Sequence, residues 1–187
     1  MAANKIMIAR HAEKPSDDGK IRGVDADGKD NTEELIVRGW QRSGALVRLF
    51  APRDGQFVDP HLATPQTIFA SKVGKHSKSL RPQHTVLELA TLLGLTLSLG
   101  HDKGDLNALA ADAIAAQGPV LIAWEHQDIP DIVNLITGNS MTCPQTWPGD
   151  RFDVVWVLDR PDAAAAWSFA QVPQLLLSGD SPQPIAT

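Results

Sequence analysis

Little in this chain of 187 residues could form a covalent or metal-bound framework. It has one cysteine, Cys143, in a turn-rich stretch. A lone thiol cannot close an internal disulfide, so nothing points to an oxidising compartment. The histidines show no metal-ligand spacing and there is no cysteine pair, which argues against a structural zinc site. No run approaches the ~18 apolar residues of a membrane span. The N-terminal residues carry no apolar stretch of signal-peptide length. A soluble, cytoplasmic protein with no membrane partner is therefore expected. Excess positive charge is missing as well. The 17 basic residues are outnumbered by 22 acidic ones, a net charge of -5. That argues against a general nucleic-acid binder, which presents a basic face. Any anion site must be local, a few cations focused in one cleft. Internal repeats and domain linkers are absent too. A single domain over residues 1–187 is expected, its Pro-rich tail frayed from about Ser181.

What is present reads as alternating strands and helices. Lys5–Ala9 is apolar at nearly every position, the pattern of a central strand. Pro15–Asp30 is rich in Gly, Asp and Lys and reads as a loop. A helix follows over 38–50, with Trp40, Ser43, Gly44, Val47 and Phe50 as its inward stripe. Thr67–Ser71 is a second strand. After a basic run of Lys72, Lys75, His76, Lys78 and Arg81, a helix begins near Leu80, with Ser79 as its cap and Pro82 in its first turn. Leu80, His84, Leu87 and Ala90 or Thr91 line one face of it. Leu95–Leu99 is a candidate edge strand. Asp105 can cap a further helix that ends at Gly118-Pro119. Val120–Trp124 is a third strand, Pro130 opens a helix that stops at Gly138, Asp153–Leu158 is a fourth strand, and 167–177 holds more.

This order predicts an α/β fold, a three-layer α/β/α sandwich with a mostly parallel sheet. Ligands bind such sheets at the C-terminal ends of the strands. The first and third strands each end next to a histidine, His11 and His126, and the second ends just before the basic run. Arg10, His11, Arg81 and His126 are thereby expected to converge.

Those residues carry a resemblance. Arg10-His11-Ala12-Glu13 after a buried strand resembles the signature of the histidine phosphatase superfamily, the phosphoglycerate mutase-like fold. Leu35-Ile36-Val37-Arg38-Gly39-Trp40-Gln41-Arg42 is similar to the segment that follows the family's first loop. Ser71 to Thr85, with Arg81-Pro82-Gln83-His84-Thr85, is similar to the segment holding its second arginine. Ile122-Ala123-Trp124-Glu125-His126 is similar to its second histidine motif. The short chain is most similar to compact branch-one members, such as small bacterial phosphohistidine and sugar-phosphate phosphatases. Ala12 stands where the family has glycine, and Glu125 where it has a small residue.

The resemblance implies a phosphatase that needs no metal or cofactor. His11 attacks phosphorus and carries the phosphoryl group as a covalent phosphohistidine. Arg10 and Arg81 hold its oxygens as planar two-pronged donors, and His126, if protonated, adds another donor. Two arginines beside His11 would keep its ring neutral, with one ring nitrogen donating to a backbone carbonyl. An acidic residue between Arg81 and His126 would protonate the leaving group. Asp102 is the first candidate for it and Glu13 the next. The substrate would be a small phosphorylated molecule or a phosphohistidine protein. A phosphomutase of the same fold and a non-catalytic binder of phosphorylated ligands or a protein are the alternatives. His84 could face the site, and His76 with Lys75 or Lys78 could line its mouth.

Overall fold

The computed structural model describes residues 3–75 and 77–186. In chain order the elements are β1 (Lys5–Arg10), α1 (Val37–Phe50), β2 (Thr67–Ala70), α2 (Arg81–Leu93), α3 (Leu106–Ala115), β3 (Val120–Trp124), α4 (Ile129–Thr137), β4 (Val154–Asp159) and β5 (Ser168–Pro173). The five strands form one sheet in the order β2-β3-β1-β4-β5. β1 and β2 both pair in parallel with β3. β4 runs antiparallel to β1 and to β5. The sheet is therefore mixed, with a parallel half that carries the two histidine-bearing strand ends.

Side chains alternate across each strand, and the two faces build two cores. Ile6, Ile8, Val120, Ile122, Trp124 and Trp156 face α3 and α4. Met7, Leu121, Ala123, Val155 and Val157 face α1 and α2. This assignment fixes the site. Arg10 continues the Ile6-Ile8 face toward the first core. His11 continues the Met7-Ala9 face toward α1 and α2. In register, Arg10 lies opposite Trp124, and the His11 N–H donates to the Trp124 carbonyl at 2.9 Å.

Several local expectations are corrected. The inward faces of α1 and α2 are rotated by one residue. α1 buries Gly39, Arg42, Ser43, Leu46, Leu49 and Phe50, and α2 buries Pro82, Thr85, Val86, Leu89 and Ala90. Leu87 is 39% exposed. The rotation arises because both helices turn polar groups, Arg42 and Thr85, toward the end of β1.

Ser79 and Asp105 do not cap their helices, since neither start has a side-chain cap bond. Asp105 instead accepts the Asp102 N–H at 2.9 Å. Pro82 does sit in the first turn of α2, and Gly94 closes that helix at φ 66° with its N–H on the Ala90 and Thr91 carbonyls. The 95–99 segment makes one parallel bridge, Ser98 to Phe69, beside β2.

The tail is tied down rather than frayed. Ile185 is buried and exchanges hydrogen bonds with the Gln171 amide, and the Ser181 N–H donates to Asp153 at 2.6 Å.

Candidate active site

His11 is 4% exposed. Its Nδ1 lies 2.8 Å from the Ala12 carbonyl oxygen. A carbonyl only accepts, so Nδ1 carries the proton and Nε2 holds the lone pair. Burial pushes the imidazole down to about 3, and the charges of Arg10, Arg81 and His126 push the same way, against the Ala12 bond. The ring is therefore neutral and nucleophilic at any ordinary pH. Burial, rather than the arginines, is the main cause. The charges of Arg10, Arg81 and His126 all bear on His11.

Arg10 is buried but still cationic. Its Nη1 donates to the carbonyls of Gly149 at 2.8 Å and Arg151 at 3.0 Å. Its guanidinium carbon sits 3.7 Å from the centre of the Phe152 ring. Burial lowers it to about 10, opposed by Glu13 and Asp150. Its Nε and Nη2 are buried with no hydrogen-bond partner among the described residues. Buried donors without partners are costly. A guanidinium that is half anchored and half unpartnered beside a neutral histidine suits an oxyanion.

Arg81 stands at the N-terminus of α2. Its Nη1 donates to the Thr32 carbonyl at 3.0 Å, while Nε is buried without a partner among the described residues. Burial lowers its pKa against the charges of Glu33, Glu125 and Glu34.

His126 is half-buried. Burial and then Arg10 lower it to about 4, with Glu125 opposing and Lys14 and Lys103 adding to the effect. It is neutral near pH 7. A neutral imidazole still offers one N–H.

Of the two carboxylates expected to protonate a leaving group, Glu13 is engaged elsewhere. Glu13 is 7% exposed. Its carboxylate accepts from Arg38 Nε at 3.1 Å and from Arg42 Nη2 at 2.8 Å and Nε at 3.1 Å. Arg42, 2% exposed, also reaches Asp180 at 2.8 Å and Gln174 at 2.9 Å. Burial alone would lower the Arg42 guanidinium, but its bonds to Asp180 and Glu13 hold it above the ordinary value. Asp102 lies against Gly74, where a Cβ would come within 2.6 Å of its Oδ1. It is not among the groups whose charge reaches His11.

His84 does not face the site either. Its Nδ1 meets the buried Glu34 at 2.7 Å, and its ring lies 5.3 Å from that of Trp40. His76 lies outside the described residues.

Sequence reasoning missed the residues that brace His11. Thr85 takes the Ala12 N–H on its hydroxyl at 2.8 Å and donates to the Arg81 carbonyl at 2.7 Å, tying the end of β1 to α2. Gly39 lets α1 close onto the Glu13 backbone, since a Cβ would lie 2.7 Å from the Glu13 carbonyl oxygen. The available signal was spacing. Arg38 and Arg42, like Arg81 and Thr85, are four apart and so share a helix face.

A cavity of ≈ 500 Å³ lies beside the 15–32 loop, between Pro15, Ile21, Arg22, Asp30 and Thr32. Thr32 is also the anchor of Arg81. Among the described residues, no group of three or more His, Cys, Asp or Glu could hold a metal ion. No helix among them is long and apolar enough to cross a membrane.

This architecture is the phosphoglycerate mutase-like fold. No protein-family model and no curated protein sequence matches the chain. Solved structures do. A provisionally named phosphohistidine phosphatase SixA from Agrobacterium tumefaciens superposes with a TM-score of 0.53 at 15% identity, covering 89% of this chain and 96% of that one. A mycobacterial glucosyl-3-phosphoglycerate phosphatase gives 0.52 at 12% identity, covering 91% and 97%. An α-ribazole-5'-P phosphatase from Escherichia coli, its assignment also provisional, gives 0.51 at 11% identity, covering 87% and 94%. At such low identity the likeness establishes the fold.

Proposed function

We propose that the chain is a member of the histidine phosphatase superfamily that hydrolyses a phosphate monoester or phosphohistidine through a covalent phosphohistidine on His11. The observation that carries this reading is the neutral, buried His11, its Nδ1 proton fixed on the Ala12 carbonyl and unpartnered guanidinium donors of Arg10 and Arg81 beside it. The solved structures that share the fold are named as phosphatases.

In the proposed sequence the Nε2 lone pair attacks phosphorus and the leaving group departs with the P–O or P–N electron pair. Arg10 and Arg81 hold the equatorial oxygens, where charge concentrates, and the N–H of neutral His126 adds a donor. Water then attacks the phosphohistidine, releasing phosphate and restoring Nε2. The arginines supply the positive charge, so no metal is invoked. Cys143 is a free, buried cysteine, and a lone thiol suits a reducing compartment such as the cytoplasm.

The test is turnover of p-nitrophenyl phosphate in the presence of a chelator. The expected result is full activity with EDTA and a loss of about 10³-fold or more in His11→Ala. Unchanged turnover in that variant overturns the reading.

One observation favours a second reading, a non-catalytic binder of phosphorylated ligands: the Glu13 carboxylate is taken up by Arg38 and Arg42. Anion binding with no hydrolysis across a panel of esters and phosphoramidates would support it.

A further inference from the structure

The turn that leads into β4 reaches the proposed phosphate site, and the proposed chemistry gives it no part. β4 runs antiparallel to β1, with Val155 paired to Ala9. Its start therefore lies beside the end of β1, where residues 148–152 meet Arg10. Arg10 Nη1 donates to the carbonyls of Pro148 at 3.4 Å, Gly149 at 2.8 Å and Arg151 at 3.0 Å. The Arg151 carbonyl also accepts from the indole of the buried Trp147 at 2.9 Å. The Arg151 N–H closes the turn on the Pro148 carbonyl at 3.1 Å, and its side chain ties the turn to Asp153 and to the Gln183 carbonyl. Arg10 is thus gripped by a fixed backbone bracket.

Phe152 completes the bracket. It is half-buried, and the Arg10 guanidinium carbon lies over its ring, 3.7 Å from the centre. The His11 ring is its other neighbour, 6.2 Å away between centres and tilted by 54°. Phe152 also lines a cavity of ≈ 220 Å³ together with Glu13, Asp150 and Asp180. Bonds to Nη1 alone fix where the guanidinium stands but let its plane rock about that nitrogen. A ring against its face sets the plane, and the negative ring face attracts the cation, more so where water is excluded. The edge left over is that of Nε and Nη2, a two-pronged donor for two oxygens of one anion. Both nitrogens are buried with no partner among the described residues.

We infer that Phe152 is a positioning residue: by stacking on Arg10 it holds the Nε–Nη2 edge in the plane that meets two phosphoryl oxygens beside His11. This rests on the phosphatase reading and adds a residue to its site. Phe152 acts through Arg10 and takes no part in bond making. A fork aimed in advance gains most as charge concentrates on the equatorial oxygens, so its benefit falls on the transition state more than on bound substrate.

The test measures p-nitrophenyl phosphate turnover and, by calorimetry, orthovanadate affinity in Phe152→Leu and Phe152→Tyr. Phe152→Leu keeps an apolar side chain and removes the ring. It is expected to lower kcat about tenfold and to weaken orthovanadate binding by a similar factor, with KM within about threefold. Phe152→Tyr keeps the ring face and is expected to restore both values to within about twofold of native. With Arg10→Lys, where no planar fork remains to be aimed, adding Phe152→Leu is expected to cost no more than about twofold further. A merely structural role would lower the folded fraction, and kcat with it, while the orthovanadate Kd of the folded protein stayed native; that result overturns the inference. So does a loss in Phe152→Tyr as large as in Phe152→Leu, or the full Phe152→Leu loss in the presence of Arg10→Lys. Orthovanadate binding that Phe152→Leu weakens, in a native protein that turns over no ester, leaves the inference standing and overturns the phosphatase reading. A native protein that neither binds orthovanadate nor turns over the ester overturns both.

Discussion

The ends of β1 and β3 lie side by side in the parallel half of the sheet, and each is followed by a histidine and has a glutamate close by. They are built to different standards of rigidity. After β1, His11 and Glu13 are almost wholly buried. Glu13 is held by two arginines, one of which is bound in turn by Asp180 and Gln174. After β3, His126 is half-buried, Gln127 is exposed, and Glu125 is held by one lysine and a long hydroxyl contact. The difference matches the roles proposed for the two histidines. An attacking atom must be held in one geometry and kept dry, whereas an added donor to the phosphoryl oxygens needs less constraint.

The largest expected effect comes from breaking the rigid end. Arg42→Ala removes from the buried Glu13 one of its two arginines and from Asp180 its closest one. It should cost about 3–5 kcal/mol, read as a lower midpoint in urea unfolding. A loss under about 1 kcal/mol would show that the network is not what fixes β1.

Gly39→Ala comes next. Its methyl would press on the Glu13 carbonyl oxygen at 2.7 Å, so α1 must back away at a cost of about 1–3 kcal/mol. Turnover should fall although no group at the reacting centre has changed. Native stability and rate together would contradict the close approach.

Acid sharpens the comparison without a mutation. His11 and His126 lie at about 3 and about 4 against an ordinary value of 6.5. The folded chain therefore binds fewer protons than the unfolded chain once the pH drops below about 6.5. Their contribution to stability is complete above that pH and is lost as the pH falls toward 4 and then 3. In nitrogen NMR both rings should stay neutral at pH 5.5, with His11 as the Nδ1–H tautomer, and His126 should titrate first. A midpoint near 6.5 for His11 would remove the basis for its nucleophilicity. At the loose end, Ser77→Ala should change stability by no more than about 0.5 kcal/mol.

The same contrast explains what the sequence revealed. Order and type of the elements follow from apolar period, because Lys5–Ala9 and Val120–Trp124 are continuous runs and Pro82, Gly94, Pro130 and Gly138 mark helix ends. Arg10, His11, Arg81 and His126 were singled out by the four-segment resemblance, with the parallel strand ends suggesting that they converge. The inward faces of α1 and α2 were not legible. A reading that counts apolar residues passes over Arg42 and Thr85, and so selects Leu87 in place of Val86 and Leu89. Nor could it show that Glu13 is a brace. That depends on Asp180 and Gln174, which are more than 130 residues from Arg42 in the chain. The antiparallel return of β4 was equally hidden, since strand direction depends on connections rather than on composition.

The central claim is that His11 carries the phosphoryl group. Rapid mixing with excess p-nitrophenyl phosphate, an alkaline quench and mass spectrometry of the peptides test it most directly. The account predicts a phosphoryl adduct on His11 that is stable in base, lost in acid, and missing in His11→Gln. Steady turnover with His11 unmodified, or with the adduct on another residue, would contradict it.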